Sequence, residues 1–154
     1  MTSATIRKGA ILLAEDNQGD IELTLRSLKK NNILNEVVVA RDGEEALNYL
    51  FCEGPYSKRD ARDMPVLVLI DLKLPKISGL EVLKRMRADQ CLKMLPVVIL
   101  TLSKEDSDVI AGYQLGANSY VRKPIDIMEF IDAVKQLGMY WLILNEPLPR
   151  KQSE

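Results

Sequence analysis

The sequence predicts an α/β protein built on a parallel β-sheet that carries helices on both faces. Short, wholly apolar runs alternate along the chain with segments whose apolar residues recur at helical spacing. Strands that are apolar on both sides are typical of a covered parallel sheet, and strand–helix alternation implies right-handed crossovers. The length of 154 residues fits a single domain that needs neither a metal nor a disulfide to fold.

Five strands are predicted from the apolar runs, taken in chain order. They cover residues 10–14, 37–40, 66–70, 96–100 and 119–122. The second run is a series of valines, which favour strands because they are β-branched. The first, third and fourth runs each stop abruptly at a polar residue. This pattern predicts that polar side chains gather at one edge of the sheet.

Five helices are predicted between and after these strands. The first, over residues 18–30, places Ile21, Leu25 and Leu28 on one stripe. The others are expected over 43–51, around 80–86, over 105–115 and from about residue 126 onward. One long loop of mixed charge, residues 52–64, interrupts the alternation. We expect this loop to be a solvated insertion, since loops of its length are uncommon but tolerated.

Composition excludes several kinds of chemistry. The chain has no histidine, which rules out Ser-His and Cys-His nucleophile pairs, His-ligated zinc and an imidazole base. A net charge of −1 and an aromatic content of 5% argue against nucleic-acid binding. Cys52 and Cys91 are interpreted as reduced thiols, although a single disulfide stays open. Since the longest apolar run, 139–144, is too short to span a membrane, we expect a cytoplasmic protein.

Polar residues follow the ends of the predicted strands. Glu15 and Asp16 follow the first strand, Asp71 the third, Thr101 the fourth and Lys123 the fifth. Each one alone has a structural explanation, as a helix cap, a turn cap or a surface charge. Ligands of open α/β sheets, however, bind beyond the carboxyl ends of the strands, so these residues are expected to share a pocket.

Such a pocket would hold three carboxylates, one hydroxyl and one ammonium group. Crowded carboxylates repel one another, which indicates a bound cation, and oxygen ligands open to water favour Mg²⁺. Magnesium beside a hydroxyl and a lysine is typical of a phosphoryl-binding site. Without histidine, the available nucleophile is a carboxylate, and Asp71 at the predicted central strand is the best candidate for an aspartyl phosphate.

These residues belong to an ordered set of motifs. The motifs lie at residues 11–17, 40–46, 69–75, 77–80, 99–101 and 121–124. With them the chain resembles the receiver domain of two-component response regulators over about residues 9–138. The resemblance implies a CheY-like, flavodoxin-like fold with strand order 2-1-3-4-5. It divides the chain into an N-terminal tail (1–8), a receiver domain with an extended last helix (9–144) and a C-terminal tail (145–154).

The resemblance also assigns roles around the phosphoryl group. It implies that Asp71 is the phosphoacceptor and that Lys123 pairs with the phosphoryl group. It implies that Mg²⁺ is held by Glu15, Asp16, Asp71 and the backbone carbonyl of Lys73.

A switch pair follows from the same resemblance. Thr101 and Tyr120 match the hydroxyl and the aromatic residue that rearrange after phosphorylation adds charge at the site. The alternative for Tyr120 is an edge-strand aromatic residue that packs against a neighbouring helix.

The implied function is that of a stand-alone response regulator that accepts phosphate from a partner histidine kinase and binds a downstream protein. It would not be an enzyme beyond Mg²⁺-dependent self-phosphorylation and self-dephosphorylation. One alternative is a phosphorylation-independent adaptor. Another is a dehalogenase-like phosphatase, which would need a second acid where this chain has Lys73.

The end of the chain resembles that of a narrower group within the receiver family. Residues 140–144 are apolar all round, so this segment is expected either to contact a partner or to fold back on its own domain. The extended last helix, this tail and the enlarged loop resemble the stand-alone receivers that partner bacterial phytochrome kinases. A homodimer through the last helix and tail is one expectation. The kinase, its signal, the downstream target and the phosphoryl lifetime stay open.

Overall fold

The sheet contains five parallel strands, as predicted. A computed structural model describes residues 9–101, 111, 113–117, 119–122, 128, 129 and 132. The strands are β1 (Ile11–Ala14), β2 (Val37–Ala40), β3 (Leu67–Asp71), β4 (Val97–Thr101) and β5 (Ser119–Arg122). Their order in the sheet is β2-β1-β3-β4-β5, and every neighbouring pair is parallel. The predicted order is confirmed, with β3 at the centre.

The register of the strands brings their carboxyl ends to one level. Ala14, the last residue of β1, is aligned with Ala40 of β2 and with Ile70 of β3. Asp71 is one residue further along β3 and is aligned with Leu100 of β4. Residues that directly follow β1 therefore emerge beside Asp71, because parallel strands all run toward the same edge.

Three helices are described in full, and each begins at a side-chain cap. They are α1 (Gln18–Lys30), α2 (Gly43–Phe51) and α3 (Gly79–Arg87). Their cap residues, Asn17, Asp42 and Ser78, each accept a hydrogen bond from the backbone amide three positions on. Such caps satisfy amides that the first helical turn leaves without partners. The capped helices thus start immediately beside the strand ends where the candidate site residues lie.

The sheet separates two apolar clusters, one on each face. Alternate residues of β1 point to opposite sides: Leu12 lies in the cluster formed with α2 and α3, whereas Leu13 lies in the cluster formed with α1. Both residues are completely buried. This two-sided burial confirms the arrangement inferred from apolar strands, and burial of apolar area is the main term that stabilises it.

The expectation of a solvated insertion is only partly correct. Five charged residues of the loop (residues 52–64, the inserted loop) are exposed: Glu53, Lys58, Asp60, Arg62 and Asp63. Tyr56, however, packs edge-on against Tyr49 of α2, with ring centroids 5.1 Å apart. Arg59 lies 4.2 Å above the same ring and donates hydrogen bonds to the Tyr49 carbonyl. The loop is therefore docked on α2 through these contacts.

Some predictions concern residues outside the described part of the chain. Residues 111, 113 and 114 are helical, as are 128, 129 and 132, but the rest of the predicted helices over 105–115 and after 126 lies outside. The two tails, 1–8 and 145–154, and the apolar segment 139–144 lie outside as well.

Cys52 and Cys91 are both free thiols. In the described part of the chain, no helix is long and apolar enough to cross a membrane.

A close approach at Gly43 yields a stability prediction. The Gly43 amide donates a 3.1 Å hydrogen bond to the Pro75 carbonyl, and a Cβ at this position would lie 1.9 Å from the Ile77 carbonyl oxygen. Because backbone cannot move aside as a flexible side chain can, we expect Gly43→Ala to lower the free energy of unfolding by about 1–3 kcal/mol. Urea denaturation would measure the change.

The matched control is Gly19→Ala in α1. There the nearest atom to a new Cβ is the Asn17 side-chain oxygen, at 3.3 Å. We expect this change to shift the free energy of unfolding by less than about 1 kcal/mol, because alanine favours helix more than glycine does. Equal stabilities of the two variants would contradict the assignment of Gly43 as a point of backbone contact.

Candidate functional site

Three carboxylates converge at the carboxyl edge of the sheet. Glu15, Asp16 and Asp71, here called the acidic triad, each offer a carboxylate oxygen, and these oxygens all lie within 4.8 Å of one another. Glu15 is only 1% exposed and Asp71 only 6% exposed, whereas Asp16 faces solvent. The structure thus brings together the three acids that the sequence analysis placed in one pocket.

Glu15 is held by the backbone on both sides. Its amide donates a 2.9 Å hydrogen bond to the carbonyl of Ala40, the last residue of β2. Its carboxylate oxygen Oε2 accepts a 3.2 Å hydrogen bond from the amide of Asn17, the residue that caps α1. The tight passage from β1 into α1 therefore fixes the direction in which the Glu15 carboxylate points.

Asp71 is positioned by the turn that follows β3. The Lys73 amide donates a 3.0 Å hydrogen bond to Asp71 Oδ1. At the start of α3, the Gly79 amide donates to the Leu72 carbonyl at 2.9 Å, and a Cβ on Gly79 would lie 2.2 Å from the Asp71 carbonyl oxygen. Only glycine allows α3 to begin this close to the end of β3, so the turn that orients Asp71 is tightly constrained.

The same turn is tied to the start of α2 by Lys76. This lysine has a left-handed backbone, with φ of 68°, a conformation that costs an L-residue roughly 1–2 kcal/mol. Its Nζ lies 3.4 Å from Glu44 Oε1 and 3.6 Å from Asp42 Oδ2. The hydrogen bond to Glu44, and then the charge of Asp42, raise the pKa of Lys76 above its usual value. These contacts hold the strained turn against α2.

The acidic triad has the donor set that a hard divalent cation requires. Three like charges at this separation destabilise one another unless positive charge offsets them, and two of the three are almost completely buried. All three side chains offer oxygen ligands, and the exposed Asp16 leaves room for water, which Mg²⁺ retains in most protein sites. The residues present therefore fit such an ion.

The remaining predicted site residues are described to different extents. Thr101 is the last residue of β4, the strand next to β3, so its backbone ends at the same edge as Asp71. Tyr120 is half-buried on β5, aligned with Ile99, and packs against the cluster formed with α2 and α3. Lys73 is exposed two residues after Asp71. Lys123 lies outside the described residues.

Two further residues near the site were missed by the sequence analysis. Glu45 Oε1 accepts a 3.0 Å hydrogen bond from the Arg41 amide, and Glu45 Oε2 accepts one of 3.1 Å from the Tyr56 hydroxyl. Asp42 followed three positions later by Glu45 is the pattern of a helix capping box, which could have identified Glu45. No local pattern indicates Tyr56, because its contact is set by the path of the inserted loop.

Comparison with known proteins points to one family. Residues 11–135 match the family model of the response regulator receiver domain. Response regulator Rcp1 of Synechocystis sp. is 38% identical over 132 residues, which span 86% of this chain and 88% of Rcp1. A crystal structure of Rcp1 in an Mn²⁺-bound form superposes with a TM-score of 0.72 and 36% identity, and covers 92% of this chain and 99% of that one.

Two solved structures of bacteriophytochrome response regulators are also similar. RtBRR superposes with a TM-score of 0.80 and 48% identity, over 92% of this chain and 84% of that chain. AtBRR gives the same TM-score with 49% identity, over 90% of this chain and 98% of that chain. The family match over residues 11–135 includes the strands and turns that carry the acidic triad.

Repulsion within the acidic triad predicts a stabilising substitution. In the absence of divalent ions, we expect Asp16→Asn to raise the free energy of unfolding by about 1 kcal/mol, because it removes one of three crowded negative charges. Mg²⁺ is then expected to stabilise the wild type more than the variant, since at a given concentration a ligand that binds the folded state more tightly stabilises it more. Denaturation with EDTA and with Mg²⁺ would measure both effects.

The control for this experiment is Glu53→Gln, which neutralises an exposed carboxylate in the inserted loop, outside the acidic triad. It is expected to leave the Mg²⁺-dependent stabilisation unchanged. An Asp16→Asn variant that is less stable than the wild type in EDTA would contradict the interpretation that the three charges repel.

Proposed function

The chain belongs to the family of response regulator receiver domains, and we propose that it acts by accepting a phosphoryl group on Asp71. The observation that carries this proposal is the position of Asp71 in the acidic triad. It ends the central strand, its carboxylate oxygen lies within 4.8 Å of those of Glu15 and Asp16, and 6% of the residue is exposed. A carboxylate held in this way is oriented for attack on an entering phosphorus atom.

The acidic triad and the backbone carbonyl of Lys73 would hold Mg²⁺. The relative Rcp1 has been solved with Mn²⁺, an ion that takes the same oxygen ligands. When bound, the ion supplies positive charge that offsets the carboxylates and the phosphoryl oxygens. Glu15, fixed by the Ala40 carbonyl and the Asn17 amide, supports this role because its carboxylate is already oriented toward Asp71.

The phosphoryl transfer itself needs one nucleophile and one leaving group. A carboxylate oxygen of Asp71 forms a bond to phosphorus while the phosphorus–nitrogen bond to a phosphohistidine breaks, and the departing imidazole nitrogen takes up a proton. The Lys73 amide, which donates to Asp71 Oδ1, keeps the carboxylate in position during the attack. Since this chain contains no histidine, the donor histidine lies outside it.

Thr101, Tyr120 and Lys123 complete the proposed response. Lys123 would pair with the phosphoryl oxygens, and the Thr101 hydroxyl would move toward them once their charge is present. Tyr120 would then follow into the space that Thr101 leaves, which would change the surface near β5. The half-buried position of Tyr120 beside Ile99 supports this role, because such a side chain can shift between core and solvent.

We propose a bacteriophytochrome-type histidine kinase as the phosphoryl donor, in the cytoplasm. RtBRR and AtBRR, at 48% and 49% identity, are both bacteriophytochrome response regulators and support this choice. Turnover of a separate substrate is not part of the proposal. The reactions expected of the chain are its own phosphorylation and dephosphorylation.

The acceptor assignment predicts the result of one substitution. Incubation with acetyl phosphate and Mg²⁺ is expected to add a base-labile phosphoryl group to the wild type, and Asp71→Asn is expected to abolish it. Asn cannot form the acyl phosphate, yet it keeps the shape of the side chain. Intact-protein mass spectrometry before and after mild base would measure the label.

Asp63→Asn is the matched control, because Asp63 is an exposed aspartate in the inserted loop, outside the acidic triad. It is expected to be labelled like the wild type. Undiminished, base-labile labelling of Asp71→Asn would show that Asp71 is not the acceptor.

The proposed donor class can be tested with a panel of purified histidine kinases. We expect phosphotransfer from a bacteriophytochrome kinase to be at least about tenfold faster than from unrelated kinases, which corresponds to about 1.4 kcal/mol of transition-state discrimination. Short time courses with radiolabelled kinases would measure the rates. Equal rates across the panel would contradict the proposed partner and leave the assignment of Asp71 intact.

A further inference from the structure

We propose that Tyr56, in the inserted loop, is a positioning residue for the acidic triad and acts on Glu15 through a relay of three hydrogen bonds. The Tyr56 hydroxyl donates its hydrogen bond to Glu45, which is not a member of the acidic triad. Its effect passes through Glu45 and through the peptide bond between Ala40 and Arg41. This inference rests on the proposed function, since it concerns how tightly the acidic triad binds Mg²⁺.

The peptide bond between Ala40 and Arg41 is fixed at both of its polar atoms. Its carbonyl, from Ala40, accepts the 2.9 Å hydrogen bond from the Glu15 amide. Its N–H, from Arg41, donates the 3.0 Å hydrogen bond to Glu45 Oε1. Because a peptide unit is planar and rigid, a rotation that breaks one of these bonds also disturbs the other. The orientation of this peptide plane therefore links the Glu45 carboxylate to the backbone of Glu15.

The Glu45 carboxylate is in turn held by its second oxygen. Glu45 lies in the first turn of α2, and its own amide donates to the cap residue Asp42 at 2.7 Å. With Oε1 bound to the Arg41 amide, Oε2 accepts the 3.1 Å hydrogen bond from the Tyr56 hydroxyl. A carboxylate bound at both oxygens keeps one rotamer, whereas one bound at a single oxygen has more freedom to turn toward water.

Tyr56 can hold Glu45 because its own ring packs edge-on against Tyr49 of α2, with the ring centroids 5.1 Å apart. Arg59 docks the following part of the loop on Tyr49 by separate contacts, with its guanidinium carbon 4.2 Å from the centroid of the Tyr49 ring. Burial and the neighbouring Glu45 carboxylate raise the pKa of Tyr56, so the hydroxyl keeps its proton and stays a donor throughout the neutral range. The inserted loop is thereby connected to the backbone of Glu15 through Glu45 and the peptide bond between Ala40 and Arg41.

Tyr56→Phe removes the first bond of the relay and retains the ring. We expect this variant to bind Mg²⁺ about two- to fivefold more weakly than the wild type, because a hydrogen bond of about 0.5–1 kcal/mol no longer orders the relay. The maximal rate of phosphorylation by acetyl phosphate at saturating Mg²⁺ is expected to stay unchanged. The binding constant would be measured with Mn²⁺ by electron paramagnetic resonance and with Mg²⁺ by calorimetry.

A second readout needs no metal ion. In the metal-free protein, the amides of Arg41 and Glu15 are expected to exchange with solvent faster in Tyr56→Phe than in the wild type, because both lie on the relay. Amide exchange by NMR would detect this change. Faster exchange confined to these two amides distinguishes loss of the relay from a general loss of stability, which would speed exchange throughout the core.

Two control variants separate the relay from simple anchoring of the loop. Tyr49→Phe removes a hydroxyl from the same aromatic pair, and among the hydrogen bonds of the described residues none joins the Tyr49 hydroxyl to the Glu45 carboxylate. Arg59→Lys disrupts the guanidinium bonds that dock the loop on Tyr49 and leaves the Tyr56 hydroxyl in place. We expect both variants to bind Mg²⁺ like the wild type, at a temperature where all the proteins are folded.

These measurements distinguish failure of the relay from failure of the proposed function. Weaker Mg²⁺ binding and faster Arg41 and Glu15 exchange in Tyr56→Phe alone would support the relay. Unchanged binding in Tyr56→Phe, or equal weakening in Arg59→Lys, would overturn it without affecting the assignment of Asp71. A wild type that binds no Mg²⁺ and accepts no phosphoryl group on Asp71 would overturn the proposed function and the relay with it.

Discussion

The site depends on the parallel register of β1 with β3. Ala14 and Ile70 are aligned, so the residues that follow them emerge side by side and place three carboxylates within 4.8 Å of one another. An isolated pair of peptides would not adopt this arrangement, because like charges repel. The apolar clusters on both faces of the sheet impose the register, since a slip of one residue would exchange their buried side chains. Hydrophobic burial thus stabilises a repulsive cluster that is suited to a cation.

The two sides of this cluster are held by different kinds of interaction. On the β3 side, Gly79 and Gly43 bring backbone against backbone, at distances that leave no room even for a Cβ. On the β1 side, Glu15 is held by hydrogen bonds to the Ala40 carbonyl and from the Asn17 amide. Packed backbone has almost no freedom to move, whereas a hydrogen bond can lengthen or exchange with water. The geometry of Glu15 is therefore the more adjustable part of the site.

Much of the fold and the central part of the site could be predicted from the sequence. The predicted bounds of α1, β2, α2 and β5 match the structure, because apolar periodicity and capping residues are local signals. The acidic triad could be predicted because strand-end residues of a parallel sheet must converge. The docking of the inserted loop could not, since its charged residues are typical of a solvated loop. The contact of Tyr56 with Glu45 joins residues 11 apart across a turn that no periodicity describes.

Substitutions on the two sides of the site are expected to have different effects on stability and on ion binding. A change at Gly43 or Gly79 acts on backbone that supports the turn after Asp71, so it alters stability and the site together. A change at Tyr56 removes one hydrogen bond at the far end of a relay, so the apolar clusters and the register are preserved. Because the relay ends at the Glu15 amide, such a change acts on the adjustable side of the acidic triad and leaves Asp71 in place. Under the proposed relay, a loop outside the common strand–helix pattern would tune ion binding without altering the proposed phosphoacceptor.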